Sequence, residues 1–204
     1  MTTLLIYSPD NDESPSEQTK FGGKPSAPPN TVEWPKCQSC HGNMQFLGQI
    51  RASQEQVLLL FMCQNDPGAC GEWDPNSGGN KVISVLPKNL QLISPPDVGE
   101  TLRATRYGAV LFQSDAQDYE EARDQWASKN NKTPREVLGQ IDGEPSWIQN
   151  EETPICDFCS SSMQFVAQLE EGPDSKTEMN FGGGCAYIFH CSCNQKSVKL
   201  LWQC

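Results

Sequence analysis

Apolar and polar residues alternate with period two in "MQFLGQI" (residues 44–50) and again in "MQFVAQL" (residues 163–169), which predicts a half-buried β-strand in each place. "VLLLFM" (57–62) and "AYIFH" (186–190) are unbroken aliphatic and aromatic runs and predict buried strands. "NKVISVLPKNLQLIS" (80–94) reads as strand then loop, and "ATRYGAVLFQ" (104–113) as a further strand. Helical periodicity is clearest in "QDYEEARDQWASK" (117–129), where Tyr119, Ala122 and Trp126 fall on one face and acidic residues come early. "NKTPREVLGQ" (131–140) predicts a second short helix, with Thr133 as N-cap, Pro134 in the first position and Gly139 near the end. The first twenty residues, past "LLIYS", offer little to pack and are expected to be poorly ordered.

The two alternating stretches belong to a longer internal repeat. Cys37, Cys40, Met44, Gln45, Phe46 and Gln49 match Cys156, Cys159, Met163, Gln164, Phe165 and Gln168 at one constant offset. A Gly-x-Pro turn ("GGKP", "DGEP") and a Trp precede each pair, and Phe61–Cys63 and Phe189–Cys191 follow at a larger offset. The second copy therefore carries a longer loop, supplied by "EEGPDSKTEMNFGGG" with its turn formers. The expected fold is α+β and predominantly β, with two pseudo-symmetric β-rich repeat units joined by one or two helices. The expected boundaries are 1–20 for the poorly ordered segment, 21–100 for the first unit, 101–140 for the connecting strand and helices, and 141–204 for the second unit.

Cysteine explains how so lean a chain holds together. Only 36% of residues are hydrophobic, yet there are ten cysteines. The N-terminus has no basic region followed by an apolar run, and no apolar stretch approaches the roughly 20 residues that span a bilayer, so a cytoplasmic protein without membrane contact is expected. In a reducing compartment such cysteines are metal ligands rather than a disulfide framework. A C-x-x-C knuckle delivers two thiolates from one turn, and each knuckle here is answered by a later pair. Cys37, Cys40, Cys63 and Cys70 form the first predicted zinc site, and Cys156, Cys159, Cys191 and Cys193 the second. Cys185 and Cys204 are left over, and His41 and His190 are substitutes should one of the assigned thiols point away. Four thiolates close the coordination sphere, so such sites serve folding rather than hydrolysis. Structural zinc binds knuckle peptides with an apparent free energy of about 10–16 kcal/mol, enough to compensate for a small core.

Other motifs point away from catalysis. "EWDPNSGGNKVI" (72–83) lacks the acidic spacing and terminal Glu of a calcium loop, and "FGGG" (181–184) lacks the lysine of a phosphate loop, so both read as turns before strands. With two histidines in the chain, each beside a predicted ligand, no Ser or Cys nucleophile has a free base. Trp34, Trp73, Trp126, Trp147 and Trp202 are either packing residues or anchors of a partner surface. Gln45, Gln49, Gln164 and Gln168 recur on otherwise apolar strands, either to satisfy buried backbone groups or to face a cleft. The net charge of −11 repels nucleic acid and anionic membranes and favours a basic protein partner.

The stretches "FGGKP…EWPKC", "LLLFMCQNDPGACGEWDPNSGGN" and "DGEPSWIQ…CDFCSSSMQFVAQL…YIFHCSCN…LLWQ" together resemble the bacterial YwqG-like family and, more distantly, the eukaryotic programmed cell death 2 proteins. The resemblance runs from about Gly22 to Gln203. It implies a pseudo-symmetric β-rich architecture with zinc-knuckle character and no established catalysis. For some bacterial relatives it implies an immunity role beside toxin genes, and for the eukaryotic ones chaperoning of a basic ribosomal client. The expected function is thus a non-enzymatic, zinc-stabilised module that binds and neutralises a cognate toxin. The alternatives are a chaperone or assembly factor for a basic client, and a small-molecule-binding protein or hydrolase using a cleft between the repeats lined by Gln49 and Gln168.

Overall fold

The computed structural model describes residues 2–9, 12–194 and 197–204. The chain is predominantly β and divides into two compact units. One is built from Pro9–Gly108 and Val198–Leu201 and carries the first C-x-x-C; the other is built from Met1–Ser8, Ala109–Ser197 and Trp202–Cys204 and carries the second.

In the first-knuckle unit the strands are β2 (Lys20–Phe21), β3 (Ser26–Ala27), β4 (Gln45–Ser53), β5 (Gln56–Met62), β6 (Asn80–Val85) and β7 (Gln91–Leu92). β4 lies antiparallel between β2 and β5, and β5 between β4 and β6, while β3 and β7 form a separate two-stranded ribbon. The core gathers Met44, Phe46, Val57, Leu59, Phe61 and Val85 together with Cys37, Cys63 and Cys70. Sulfur atoms are thus part of the core of this unit.

The second-knuckle unit holds β1 (Thr2–Ser8), most of β8 (Tyr107–Ser114), helix α1 (Tyr119–Asn130), β9 (Val137–Ile141), β10 (Gln164–Glu170) and β11 (Cys185–His190). A last strand, β12 (Val198–Gln203), contributes its C-terminal end. β9 lies antiparallel between β1 and β10, and β10 between β9 and β11. Asp118 caps α1 by accepting the Glu121 N–H at 2.8 Å, and Asn131 ends it in the left-handed conformation. Tyr119, Ala122 and Trp126 form the buried face as the periodicity predicts, packed with Leu4, Ile6 and Val137. No helix among the described residues is long and apolar enough to cross a membrane.

Three local expectations are corrected. The segment 1–20 is not uniformly unstructured: Thr2–Ser8 is a strand whose Leu4 and Leu5 are fully buried, because β9 supplies a partner that local composition cannot reveal. Residues 1, 10 and 11 of that segment lie outside the described residues. The second helix is absent. Only Pro134–Glu136 make a 3₁₀ turn, without a side-chain cap from Thr133, and Val137–Ile141 continue as a fully buried strand, favoured by burial of Val137, Leu138 and Ile141. The alternation in β4 and β10 does not mark a solvent face, because Leu47, Gly48, Gln49 and Ile50 are all buried in β4 and Val166 to Leu169 in β10. Residues from Ala109 onward group with the second knuckle.

The internal repeat extends to strand register. Phe46 opposes Phe61, then a bulge at Leu47 brings Gly48 opposite Leu60. Phe165 opposes Phe189, then a bulge at Val166 brings Ala167 opposite Ile188. Both bulged residues receive the start of a turn, for the Leu47 carbonyl accepts the Gly22 N–H at 2.8 Å and the Val166 carbonyl the Asp142 N–H at 2.9 Å. Gly22 and Asp142 open the two Gly-x-Pro turns with positive φ angles of 69° and 60°. The turn is therefore docked on the bulge in both copies.

Candidate metal centres

Each C-x-x-C lies on a turn whose hydrogen bonds repeat one for one. The Cys37 N–H donates to the Gly42 carbonyl (2.9 Å), the His41 N–H to the Cys37 carbonyl (3.0 Å) and the Met44 N–H to the Pro35 carbonyl (2.9 Å). The corresponding bonds in the second copy are Cys156 to Ser161, Ser160 to Cys156 and Met163 to Pro154, each 2.9 Å. His41 and Ser160, which follow the second cysteines, have φ values of 60° and 58°. The left-handed residue reverses the chain so that both thiols of a pair face the same point.

The later strands return the remaining ligands. β5 ends at Cys63, and the turn-rich loop after it folds back to Cys70; β11 leads into Cys191 and Cys193. Cys37, Cys40, Cys63 and Cys70 form one group, and Cys156, Cys159, Cys191 and Cys193 another, with the sulfurs of each group all within 4.8 Å of one another. All eight thiols are free. Sγ separations are 3.6 Å for Cys40–Cys63, 3.5 Å for Cys156–Cys193 and Cys159–Cys191, and 3.3 Å for Cys191–Cys193. A disulfide would bring sulfurs to about 2.05 Å. Four thiolates about 2.3 Å from one ion at tetrahedral corners stand about 3.8 Å apart, so the donor sets fit two four-sulfur metal centres.

The surroundings favour thiolate. The Asn65 side-chain amide donates toward both Cys63 Sγ (3.3 Å) and Cys40 Sγ (3.5 Å), and the Ser197 hydroxyl lies 3.2 Å from Cys156 Sγ. Backbone N–H donation from Gly42 lowers the pKa of Cys40 to about 7, and the same bond from Ser161 lowers that of Cys159. The Ser197 hydroxyl brings Cys156 down to about 6. Burial pushes Cys63 and Cys70 up, whereas for Cys193 the neighbouring thiols do so. The surroundings pull the thiols of each group in opposite directions, and a metal cation would favour the thiolate at all of them. Sequence reading missed Asn65 and Ser197, for which the position after a ligand and before a strand was the only signal.

The remaining candidates separate cleanly from these centres. Cys185 is buried at the start of β11, where burial and Glu170 raise its pKa, and Cys204 is exposed; neither joins a group. His41 and His190 also stay outside both groups. Gln49 and Gln168, exposed 0% and 1%, do not line a cleft. Gln49 Oε1 accepts the Ser26 N–H (3.0 Å) while its Nε2 donates to the Ser16 and Gln18 carbonyls, and Gln168 Oε1 accepts the Ser146 N–H (2.9 Å) and the Gln140 amide (3.3 Å). Gln45 and Gln164 are not buried. Of the tryptophans, Trp34 packs edge-on against Phe61 and Trp147 parallel to Phe189, Trp126 is in the core, and Trp73 is 46% exposed.

No protein-family model matches the chain, and no curated protein matches it either.

Proposed function

We propose that the chain is a non-enzymatic, zinc-stapled protein-binding module that masks a basic partner, the cognate toxin of an antibacterial system, as expected of an immunity protein of the YwqG-like kind. Zinc is the ion for both centres, held by Cys37, Cys40, Cys63 and Cys70 and by Cys156, Cys159, Cys191 and Cys193. It supplies folding energy, because all-thiolate spheres leave no position for substrate. Free thiols in both groups suit a reducing, cytoplasmic setting.

The single observation that carries the binding role is one exposed stretch of the chain. Val110, Leu111 and Phe112, consecutive on β8, are 55%, 61% and 40% exposed. Exposed acidic residues follow at once, namely Asp115, Asp118, Glu120, Glu121 and Asp124. Exposed apolar side chains lose water on contact, and adjacent carboxylates select a cationic partner and speed its approach. The occupant fitted by this combination is a basic protein. Co-expression with a toxin, should a neighbouring gene encode one, tests it. The intact chain should restore growth, and Leu111→Asp should abolish rescue while retaining both metal ions. Failure of the intact chain to rescue, or rescue unaffected by Leu111→Asp, refutes the proposal.

A further inference from the structure

The two knuckles differ in side chain where their backbones agree. Lys36, Gln38 and Ser39 of the first correspond to Ile155, Asp157 and Phe158 of the second, at the same offset that relates the cysteines. At the first knuckle the chain supplies its own cover. The Gln38 N–H donates to the Gly78 carbonyl (3.1 Å), the Ser39 hydroxyl donates to the Cys70 carbonyl (3.4 Å), and a Cβ on Gly78 would meet the Gln38 side chain. Residues 64–79, between the third ligand and β6, form that cover, whereas the second copy has only residues 192–197 in the corresponding place before β12. There the tip stands in solvent, with Phe158 70% and Ile155 51% exposed. The copy with the covering loop thus carries polar residues at the tip, and the copy without it carries apolar ones.

Phe158 reaches the metal centre through its backbone, whose N–H donates to Cys156 Sγ at 3.4 Å, so its ring is not needed to hold the ligands. An aromatic ring and an aliphatic side chain held out on a braced turn lose water only against another molecule. The charge nearby decides which kind. No lysine, arginine or histidine occurs between Arg135 and Lys176, while Glu151 and Glu152, both exposed, lead into the knuckle. Glu151 accepts the Thr153 hydroxyl at 3.1 Å, a bond to a neutral group that leaves its charge in place. A nucleic acid stacking a base on Phe158 would find no cation in this segment for its phosphates, and a second copy of the chain would bring the same carboxylates. The complement is a basic protein segment.

We propose that the tip of the second knuckle is a docking site for a segment of a basic protein, which sets an apolar side chain against Phe158 and Ile155 and a lysine or arginine beside Glu151 and Glu152. The contrast between the two copies carries this site, and it does not rest on the toxin-binding reading of the β8 stretch. Selection of short random peptides from a phage-displayed library on the metal-loaded protein, followed by amide NMR titration with an enriched peptide, tests it. Enriched peptides should carry an aliphatic or aromatic residue flanked by lysine or arginine, and should shift amides of residues 155–162. Phe158→Ser should weaken binding at least about tenfold with both metal ions retained, and Ile155→Thr, which leaves the turn between the cysteines untouched, should weaken it as well. Val98→Ser, at a 76% exposed side chain of the first-knuckle unit, should leave it unchanged. Shifts confined to residues 109–114 would leave the toxin-binding reading standing and overturn this one. Acidic or wholly polar enriched peptides, binding insensitive to Phe158→Ser and Ile155→Thr, tighter binding of a single-stranded oligouridine, or no enrichment would also overturn it.

Discussion

The side-chain oxygen of Gln168 accepts the backbone N–H of Ser146 at 2.9 Å. Gln49 and Ser26 repeat the relationship at 3.0 Å, and each serine directly follows the proline of a Gly-x-Pro turn. A polar residue buried in each central strand thus ties the turn to the sheet, in the same way in both copies. Replacement by an isosteric apolar residue leaves the serine N–H without its acceptor. Gln168→Leu should cost about 1–3 kcal/mol, and Gln49→Leu more, since its amide also serves two carbonyls. Urea unfolding of the two variants measures both.

Metal content should be two ions per chain. Cys37→Ser and Cys156→Ser should each remove one of them, read by native mass spectrometry. Cys159 and Cys193 are exposed in the second group and only Cys40 in the first, so a chelator should empty the second centre sooner. Loss of both ions at one rate would contradict this ordering.

Cys40 and Cys159 are the exposed thiols whose pKa is lowered by a backbone N–H, and in Cys40 it falls to about 7. A lowered pKa means more thiolate at neutral pH, and thiolate is the nucleophile. In metal-stripped protein at pH 7, iodoacetamide should modify these two before Cys70 or Cys193, and the preference should shrink as pH rises and the other thiols ionise. Peptide mapping after brief labelling checks the order.

Glu171 organises the loop before β11 by accepting four N–H groups with one carboxylate. Glu171→Ala removes those acceptors together and should cost about 2 kcal/mol or more. Hydrogen exchange should accelerate at residues 179–183 and remain unchanged around the first knuckle.

Gly139 has φ of +137°, and a Cβ there would lie 1.9 Å from the Gln168 carbonyl oxygen. Gly139→Ala should therefore destabilise the protein by at least about 3 kcal/mol, through backbone strain and displacement of β10. Thermal unfolding reads the difference, with an alanine substitution at Gly68, where φ is also positive (+81°) but nothing lies within 4 Å of a Cβ, to separate the clash from the strain.

The sequence by itself determined the repeat, the two groups of four cysteines and the buried face of helix α1. These follow from local spacing: two thiols on one turn, a strand of fixed length behind them, and a 3.6-residue period need no distant partner to be recognised. The later ligands were legible because Phe61–Cys63 and Phe189–Cys191 repeat, even though the intervening loops differ in length.

Only the tertiary structure decided what depends on a partner far along the chain. Thr2–Ser8 is a strand because Val137–Ile141 pairs with it, and Val137–Ile141 is a strand rather than a helix because pairing with β1 and β10 buries it on both sides. The same holds for the aromatic packing: Trp34 and Trp147 stand at different distances from their Gly-x-Pro turns, yet both reach the aromatic two residues before the third ligand. The period-two pattern in β4 and β10 names two faces but not what covers them, and here neighbouring residues on both faces are buried. Burial of a glutamine amide is tolerable only where distant backbone groups meet it, and chain folding alone brings those groups there.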